Sequence, residues 1–397
     1  MKNIQALVKV GVLLTLALTV TLISSCSKPN NSEAVSNGPT SFFGNMTQSR
    51  AATVEQDKPL QLPQDHKNHP DFQLEWWYLT FVLEDEKQNA YGMQFTLFRF
   101  RNNGKEPTAQ YESDWSDTQQ WMGHASLHSA EAHFFEERFA AGGVGNACVN
   151  TSPFEAIIDD WYWKAVGDRG ALFPSTLSVS LTSMASSEPT TSANAILELN
   201  ADGPFIKQGD NGYSKKTGDE RLRSYYYSQP FIKANGTLTI EDKTMSVSGL
   251  GWYDHEWTSH LANSQAMGWD WFSIHFDNGE KLMAFRMHAQ NDDIQQKSRM
   301  SEIFTTASFI QKDGTKETLS GEAITITPIR ISSIDTENGI RKVPTAWTIA
   351  IPSKNISVTT SPFKENQWNS SVFPYYEGRI EVSGSHSGAG FMELTGY

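Results

Sequence analysis

The stretch EWWYLTFVLEDEKQNAYGMQFTLFRF, residues 75–100, decides the fold. Apolar residues occupy every second position on both sides of a polar turn at residues 85–89, namely Trp77, Leu79, Phe81 and Leu83, then Tyr91, Met93, Phe95 and Leu97. A period of two is typical of strands that bury one face. The stretch therefore predicts an antiparallel β-hairpin.

A second hairpin is predicted late in the chain, where the alternating residues Phe272, Ile274 and Phe276 lead into the turn Asp277-Asn278-Gly279. Asn-Gly is a strong hairpin signal, because both turn positions need a positive φ. Each hairpin opens with paired tryptophans and closes with Phe-Arg: Trp76, Trp77, Phe98 and Arg99, then Trp269, Trp271, Phe285 and Arg286. We interpret this likeness as an internal duplication, with chance similarity between amphipathic hairpins as the alternative.

The rest of the chain also favours strands. Short β-like runs are separated by Gly, Ser and Asn, and few stretches hold a helical period. We expect a mainly β protein with little helix, built as two antiparallel barrel-like domains. The glycine-containing segment at residues 236–249 suggests a boundary, with domains at 66–240 and 241–397.

The N-terminus has the layout of an export signal. Met1-Lys2-Asn3 is basic, residues 4–23 are largely apolar, and Ser24-Ser25 precede Cys26. The uninterrupted apolar core, residues 10–23, is shorter than the roughly 20 residues of a membrane-spanning helix, which disfavours a transmembrane anchor. Residues 23–26 also resemble a bacterial lipobox. We therefore expect a signal peptide at 1–25 and acyl chains such as palmitate on Cys26, with an ordinary secreted protein as the alternative.

The polar composition of residues 26–65 predicts a flexible tether. The expected location is the cell envelope, lipid-anchored, and the periplasmic side of the outer membrane in a Gram-negative host, since Ser27 replaces the aspartate of the inner-membrane signal. With Cys26 acylated, Cys148 is the only other cysteine, so an intramolecular disulfide is excluded.

The net charge is −13, and loss of Lys2 and Lys9 with the signal peptide makes it about −15. Such acidity disfavours a nucleic acid or an anionic lipid surface as a partner, because both need a basic patch. The expected partners are a hydrophobic small molecule or lipid, and a membrane through the N-terminal anchor. We expect the protein itself to be a monomer.

The histidines do not match standard metal motifs. His255 and His260 are five residues apart, whereas a zinc HExxH pair is four apart. His124, His128 and His133 are close in sequence, but positions 124 and 128 of a strand lie roughly 13 Å apart. We expect these three to be hydrogen-bonded within a sheet, and we expect no metal and no other cofactor.

Residues 249–257, Gly-Leu-Gly-Trp-Tyr-Asp-His-Glu-Trp, place Asp254, His255 and Glu256 among aromatic side chains. Aromatic surroundings desolvate a carboxylate and raise its pKa, so Asp254 could act as a general acid near neutral pH. The alternative is a structural turn in which Asp254 accepts backbone hydrogen bonds. The aromatic residues expected to line a ligand cavity, unless they are plain core, are Trp257, Trp269 and Trp271.

Seven short motifs follow one another from residue 69 to the end: HPDFQLEWWY (69–78), GHA (123–125), KQGD (207–210), YYYS (225–228), WYDHEW (252–257), GWDWF (268–272) and GFMELTGY (390–397). Together they resemble the AttH-like branch of the carotenoid 1,2-hydratase (CrtC) family, whose members are described as predicted secreted hydrolases or lipocalin-like proteins. The resemblance implies two lipocalin-like, calycin-type β-barrels in tandem.

The resemblance also implies a site. In carotenoid hydratases an aspartate protonates an isolated double bond and water captures the resulting cation, a role that corresponds to Asp254. Trp252 stands where the family has a tyrosine, and Tyr225 and Tyr227 stand where it has a His-x-Trp pair. These tyrosines could still donate hydroxyl hydrogen bonds, and the ring of Trp252 could stabilise a cation.

The leading hypothesis is an enzyme in which Asp254, assisted by His255 and Glu256, adds water to a hydrophobic lipid or isoprenoid-like substrate. Hydration and hydrolysis remain alternatives, because a carboxylate and an imidazole can also activate water for hydrolysis. A non-catalytic carrier or sensor of an apolar ligand is the rival hypothesis, since fold alone does not fix function.

Overall fold

The computed structural model describes residues 51–101, 119–167, 170–183, 191–261, 268–288 and 302–397. The predicted signal peptide, Cys26 and the first part of the predicted tether lie outside these ranges. Within them, no helix is both long and apolar enough to span a bilayer. All described residues belong to one compact unit.

The first sheet contains the strands β1 Leu74–Asp85, β2 Ala90–Arg101, β3 Gln119–His128, β4 His133–Ala141, β5 Ala147–Thr151, β6 Phe154–Ile158, β7 Trp161–Ala165, β8 Ser175–Ser183, β9 Thr191–Ala201, β10 Ile206–Lys207, β11 Tyr213–Lys215, β12 Arg223–Ile240 and β13 Lys243–His260. Their order is β4-β3-β2-β1-β13-β12-β9-β8-β7-β6-β5, and β10 and β11 also pair with β12.

The second sheet contains the strands β14 Gly268–Phe276, β15 Lys281–His288, β16 Glu302–Ile310, β17 Lys316–Ser320, β18 Thr325–Thr336, β19 Gly339–Ile351, β20 Ile356–Pro362, β21 Trp368–Asn369, β22 Tyr375–Gly384 and β23 Gly388–Leu394. Their order is β17-β16-β15-β14-β23-β22-β20-β19-β18, with β21 on β22. Short 3₁₀ turns lie at Gln64–His66, Gly321–Ala323 and Pro352–Lys354.

These sheets confirm the predicted fold class. Both are antiparallel, the first nearly closes into a barrel and the second forms a half-barrel, as expected for tandem lipocalin-like barrels. Both predicted hairpins are present, as β1–β2 and β14–β15. Each carries a buried cross-strand ion pair: Arg99 Nε lies 2.9 Å from Glu75, and Arg286 Nε lies 2.8 Å from Asp270.

Strand alternation creates three apolar layers. Alternate residues of the first sheet, such as Trp77 and Phe95, fill the interior of the first barrel. Phe272 and Trp347 belong to the interior of the second. The intervening residues of β1, β12, β13, β14 and β15 form a further buried layer between the two sheets, which includes Trp252. Both faces of these strands are therefore covered.

The first sheet does not end near residue 240. Strand β13 pairs with β1 and β12, so the change of sheet falls between residues 260 and 268 rather than at 240/241. The glycines that suggested a boundary have another cause. A Cβ on Gly236 or Gly249 would lie 2.0 Å from the carbonyl oxygen of Ile196 or Val82, so they permit close strand pairing.

The C-terminal part of the predicted tether, residues 51–65, lies against the first barrel. Val54 and Leu60 are buried in the barrel core, and the backbone N–H of Glu55 donates to the Tyr225 hydroxyl at 2.9 Å. The segment is mostly polar, which is why its sequence suggested a flexible tether. A few buried apolar side chains nevertheless hold it against the barrel. Residues 51–65 are therefore part of the folded body.

Candidate active site

Strand β13 sends neighbouring side chains to opposite sides of the first sheet. Trp252 belongs to the layer between the sheets, and Asp254 and Glu256 line a cavity there. Tyr253 and Trp257 belong to the interior of the first barrel, together with His255, which contacts their rings. This separation follows from the two-residue repeat of a β-strand. The predicted trio of ionisable groups is therefore split between two environments.

The cavity lies between the two sheets, is open to solvent on one side, and has a volume of about 70 Å³. Strands β1, β2, β12 and β13 form one wall, and β14, β15, β22 and β23 contribute to the other. Its lining is mainly aromatic, and includes Trp76, Tyr78, Phe98, Trp269, Trp271 and Tyr375. Such a lining fits an apolar ligand.

Asp254 is the buried acid of the first wall. Its Oδ2 accepts a 2.7 Å hydrogen bond from the Tyr226 hydroxyl, and its Oδ1 accepts hydrogen bonds from Ser228 and, at 2.7 Å, from Trp252 Nε1. Burial raises the pKa of Asp254 to about 7, although these three donors oppose the rise. All three donors are neutral, so Asp254 holds a proton below about pH 7.

Two more acids, Glu393 and Glu377, lie on the second sheet, and Glu393 lines the cavity. Glu393 accepts a 2.6 Å hydrogen bond from Trp269 Nε1, and burial raises its pKa to about 7, with a further rise from the charge of Asp254. Glu377 accepts hydrogen bonds from the hydroxyl of Tyr78 and the amide of Asn369. Burial and the charge of Glu393 raise the pKa of Glu377 well above its usual range.

One ion pair lies at the cavity wall. Lys216 Nζ is 2.7 Å from Glu256 and lies 4.9 Å from the ring centres of both Tyr226 and Phe285. The charges of Lys216 and Glu256 cancel. The cavity therefore has little net charge when Asp254 and Glu393 are both protonated. A neutral ligand therefore suits it better than an ion.

The opposite face of β13 carries a dense polar network. His255 Nε2 lies 2.8 Å from Glu75 Oε1 and its Nδ1 lies 2.9 Å from the Tyr227 hydroxyl, while Arg99 and His69 also bind Glu75. Burial lowers the pKa of His255 to about 4. Although burial opposes it, His69 and Arg99 hold the pKa of Glu75 below its usual range.

His69, Glu75 and His255 are the one group in the described ranges whose ligand atoms lie close enough to share a metal ion, all within 4.8 Å. The guanidinium of Arg99 is already bonded to the same carboxylate. A second cation at this position would be repelled, so the donor set fits a buried ion-pair network better than a metal centre.

The structure brings together only some of the predicted site residues. Asp254, Glu256, Trp252, Trp269 and Trp271 lie at or directly behind the cavity wall. The predicted residues on the opposite side of the first sheet are His255, Tyr225, Tyr227 and Trp257. His255 and the two tyrosines therefore cannot assist Asp254 directly, because strand alternation points them away.

The structure adds residues that the sequence analysis did not select: Tyr226, Ser228, Glu377 and Glu393. Tyr226 lies between two residues that were selected, and the two-residue repeat gives it the opposite orientation. Strand periodicity alone was thus a sufficient signal for Tyr226. No local signal pointed to Glu377, and Glu393 lies in the motif at residues 390–397 with nothing that marked it as a site residue; both come from the second sheet.

The sequence matches a model of the AttH-like family over residues 53–397. A crystal structure of an AttH from Nitrosomonas europaea is 26% identical, covers 87% of this chain and 99% of its own, and superposes with a TM-score of 0.70. Kievitone hydratase from Nectria haematococca shares the fold, with 16% identity, coverage of 87% and 96%, and a TM-score of 0.59. No curated protein matches the sequence significantly.

Proposed function

This chain belongs to the AttH-like family, and on that premise we propose that it is an acid–base enzyme that adds water to a neutral, apolar substrate between its two barrels. The observation that carries the proposal is Asp254, a buried carboxyl that lies at the wall of an aromatic cavity and has no cationic partner among the described residues. Such a group can lend a proton near neutral pH.

The reaction would begin when the proton of Asp254 adds to one carbon of an isolated double bond, directly or through the Tyr226 hydroxyl. The π electrons form the new C–H bond and leave a cation on the other carbon. Aromatic faces such as those of Trp76 and Trp271 would stabilise that cation. A water oxygen then forms the C–O bond, and a carboxylate, Glu393, takes the extra proton.

The two acids suit these opposite roles. Asp254 and Glu393 each have a pKa of about 7, and the charge of Asp254 raises the pKa of Glu393, so near pH 7 the state with one protonated and one ionised carboxyl is populated. One carboxyl is then protonated and can act as the acid. The other is ionised and can act as the base.

The lining favours hydration over hydrolysis through a covalent intermediate. Among the described residues that line the cavity there is no serine, cysteine or histidine to act as nucleophile or imidazole base. Ester hydrolysis there would depend on Thr96, the one aliphatic hydroxyl of the described lining, or on carboxyl groups and water. An alkene needs only the acid and the base that the cavity supplies.

The substrate we propose is a neutral isoprenoid-like or lipid molecule. Its apolar body would contact the aromatic lining, and its double bond would lie beside Asp254. Attachment to a membrane through acylated Cys26 would place the enzyme near such molecules, in the outer membrane facing the periplasm of a Gram-negative host. The lipobox-like residues 23–26 support this location.

The test is turnover of a panel of neutral prenylated phenols and acyclic terpenoids in water enriched in ¹⁸O. We expect the native protein to give an alcohol that carries one ¹⁸O. Asp254→Asn should bind the same compound yet form product about 10²- to 10⁴-fold more slowly, the usual contribution of a general acid. Tyr227→Phe, on the other side of the sheet, is the matched control and should keep most of the activity.

A specific observation also supports the rival hypothesis of a carrier. Three side chains hold Asp254 by hydrogen bonds, as a structural carboxyl would be held. Binding of several panel compounds by the native protein without any product would favour the carrier and contradict the enzyme.

A further inference from the structure

A second polar chain reaches the cavity from the wall opposite Asp254. Tyr375, on β22, lines the cavity, and its hydroxyl lies 2.9 Å from Nδ1 of His124 on β3. The other ring nitrogen of His124, Nε2, lies 2.9 Å from Glu137 Oε1 on β4. A carboxyl, an imidazole and a phenol are thus connected in a line.

The chain leads from the cavity towards solvent. His124 is fully buried, whereas the Glu137 side chain is 15% exposed. Glu137 also accepts hydrogen bonds from the backbone N–H of Val372, which fixes the carboxyl beside the imidazole. Glu137 is therefore the member of the chain that can exchange protons with water.

The hydrogen-bond partners define the direction of the chain. An ionised Glu137 can only accept, so His124 carries its proton on Nε2 and donates it to Glu137. Nδ1 is then free to accept, and the Tyr375 hydroxyl, which also interacts with Glu377 and Asn369, is positioned to donate to it. Burial keeps the imidazole neutral by lowering the pKa of His124, while Glu137 opposes that effect.

The neighbouring histidines differ from His124. His128 Nε2 accepts from the backbone N–H of Arg379 at 3.0 Å, and His133 Nε2 bonds the amide oxygen of Asn369 at 3.0 Å. All three are hydrogen-bonded, as predicted, but the prediction that their partners lie within one sheet is wrong for His128 and His133, which bond to the second sheet. Of the three, His124 is the one that joins a cavity-lining hydroxyl to a carboxyl group.

We propose that Tyr375, His124 and Glu137 form a proton relay between the cavity and solvent. This inference rests on the proposed function and deepens it, because it assigns a route out of the cavity for the proton that Glu393 takes from the attacking water. Tyr375 would accept that proton on its oxygen while its own proton moves to His124 Nδ1. The Nε2 proton then passes to Glu137 and to bulk water, and proton exchange through solvent restores Asp254.

The first test does not depend on turnover. We expect long-range ¹H–¹⁵N NMR of the full chain, labelled at histidine, to show His124 as the neutral Nε2–H tautomer at pH 7. The His124→Gln spectrum assigns the signals by their loss. A proton on Nδ1 would overturn the relay, because His124 would then donate to Tyr375 and could not accept its proton.

The second test uses whichever panel compound the native protein hydrates. Glu137→Gln and Tyr375→Phe should each lower kcat at least tenfold, change KM less than twofold and alter the pH profile of kcat. Glu136→Gln, the neighbouring residue paired with Arg138 on the other face of β4, is the matched control and should leave kcat unchanged.

The outcomes of these tests are distinguishable. An unchanged kcat in both Glu137→Gln and Tyr375→Phe would overturn the relay while leaving the hydratase proposal intact. If no compound is turned over, the proposed function fails, and the position of the His124 proton alone decides whether the chain can relay protons outward to Glu137.

Discussion

Asp254 and His255 are neighbours on one strand and are both buried, yet their hydrogen-bonding and charged neighbours differ. Asp254 has three neutral donors and lies beside an open cavity. His255 lies in a closed network in which Glu75 is held by Arg99 and His69. Both positions are almost fully buried.

The comparison shows that burial alone does not set the charge of a carboxyl. Burial raises the pKa of both Asp254 and Glu75, but the cations beside Glu75 reverse the effect. Glu75 remains an ion and stabilises the barrel, whereas Asp254 keeps its proton. The sheet therefore separates a structural carboxylate from a carboxyl that can transfer a proton.

The largest effect is expected from Glu75→Gln. This change leaves the buried Arg99 without its counter-charge, and loss of one partner of a buried ion pair costs about 3–5 kcal/mol. The free energy of unfolding, measured in urea at pH 8, should fall by that amount. Asp254→Asn is the matched control and should not lower it, since no cation depends on Asp254. Equal losses in both variants would contradict the distinction between the two faces.

A second effect is the pH dependence that Asp254 adds to stability. The pKa of Asp254 is higher in the folded state than its ordinary value of 3.8, so between these pH values the folded protein binds a proton that the unfolded chain does not. This proton stabilises the folded state at low pH, and the stabilisation is lost as pH rises towards about 7. The free energy of unfolding of the native protein relative to Asp254→Asn should fall by up to about 4 kcal/mol between pH 4 and pH 7. A relative stability that is flat over this range would show that Asp254 ionises normally.

The smallest effect separates Tyr226 from Tyr227. Tyr226→Phe removes a donor that favours the charged form of Asp254, so the pKa of Asp254 should rise by up to about 1 unit, or about 1 kcal/mol. Tyr227→Phe removes a hydroxyl that bonds His255 and should leave the pKa of Asp254 unchanged. Carbon-13 NMR of the aspartate carboxyls measures both. Similar shifts in the two variants would mean that the faces are electrostatically coupled.

Much of the fold could be predicted from the sequence because its signals are local. The alternation in residues 75–97 and the Asn278-Gly279 turn define two hairpins before any tertiary contact is known. The extent of the first sheet could not be read in the same way. The glycines at 236 and 249 look like linker residues, and only the approach of β1 and β9 shows why they are needed.

The site, like the fold, could be predicted only where its signals are local. Asp254 could be selected from its aromatic neighbours. Because side chains alternate along a strand, the sequence also implies that Asp254 and His255 point to opposite faces of the sheet. Glu393 and Tyr375 could not be predicted, because they come from strands more than a hundred residues away. Their approach depends on how two sheets pack, which no local pattern encodes.

The central claim is that Asp254 carries a proton near neutral pH. Infrared difference spectra between the native protein and Asp254→Asn, recorded from pH 3 to pH 9, follow the protonated carboxyl directly. We predict that this band persists to pH 6 and disappears with a midpoint near 7. A midpoint near 3.8, the ordinary value for aspartic acid, would contradict the account.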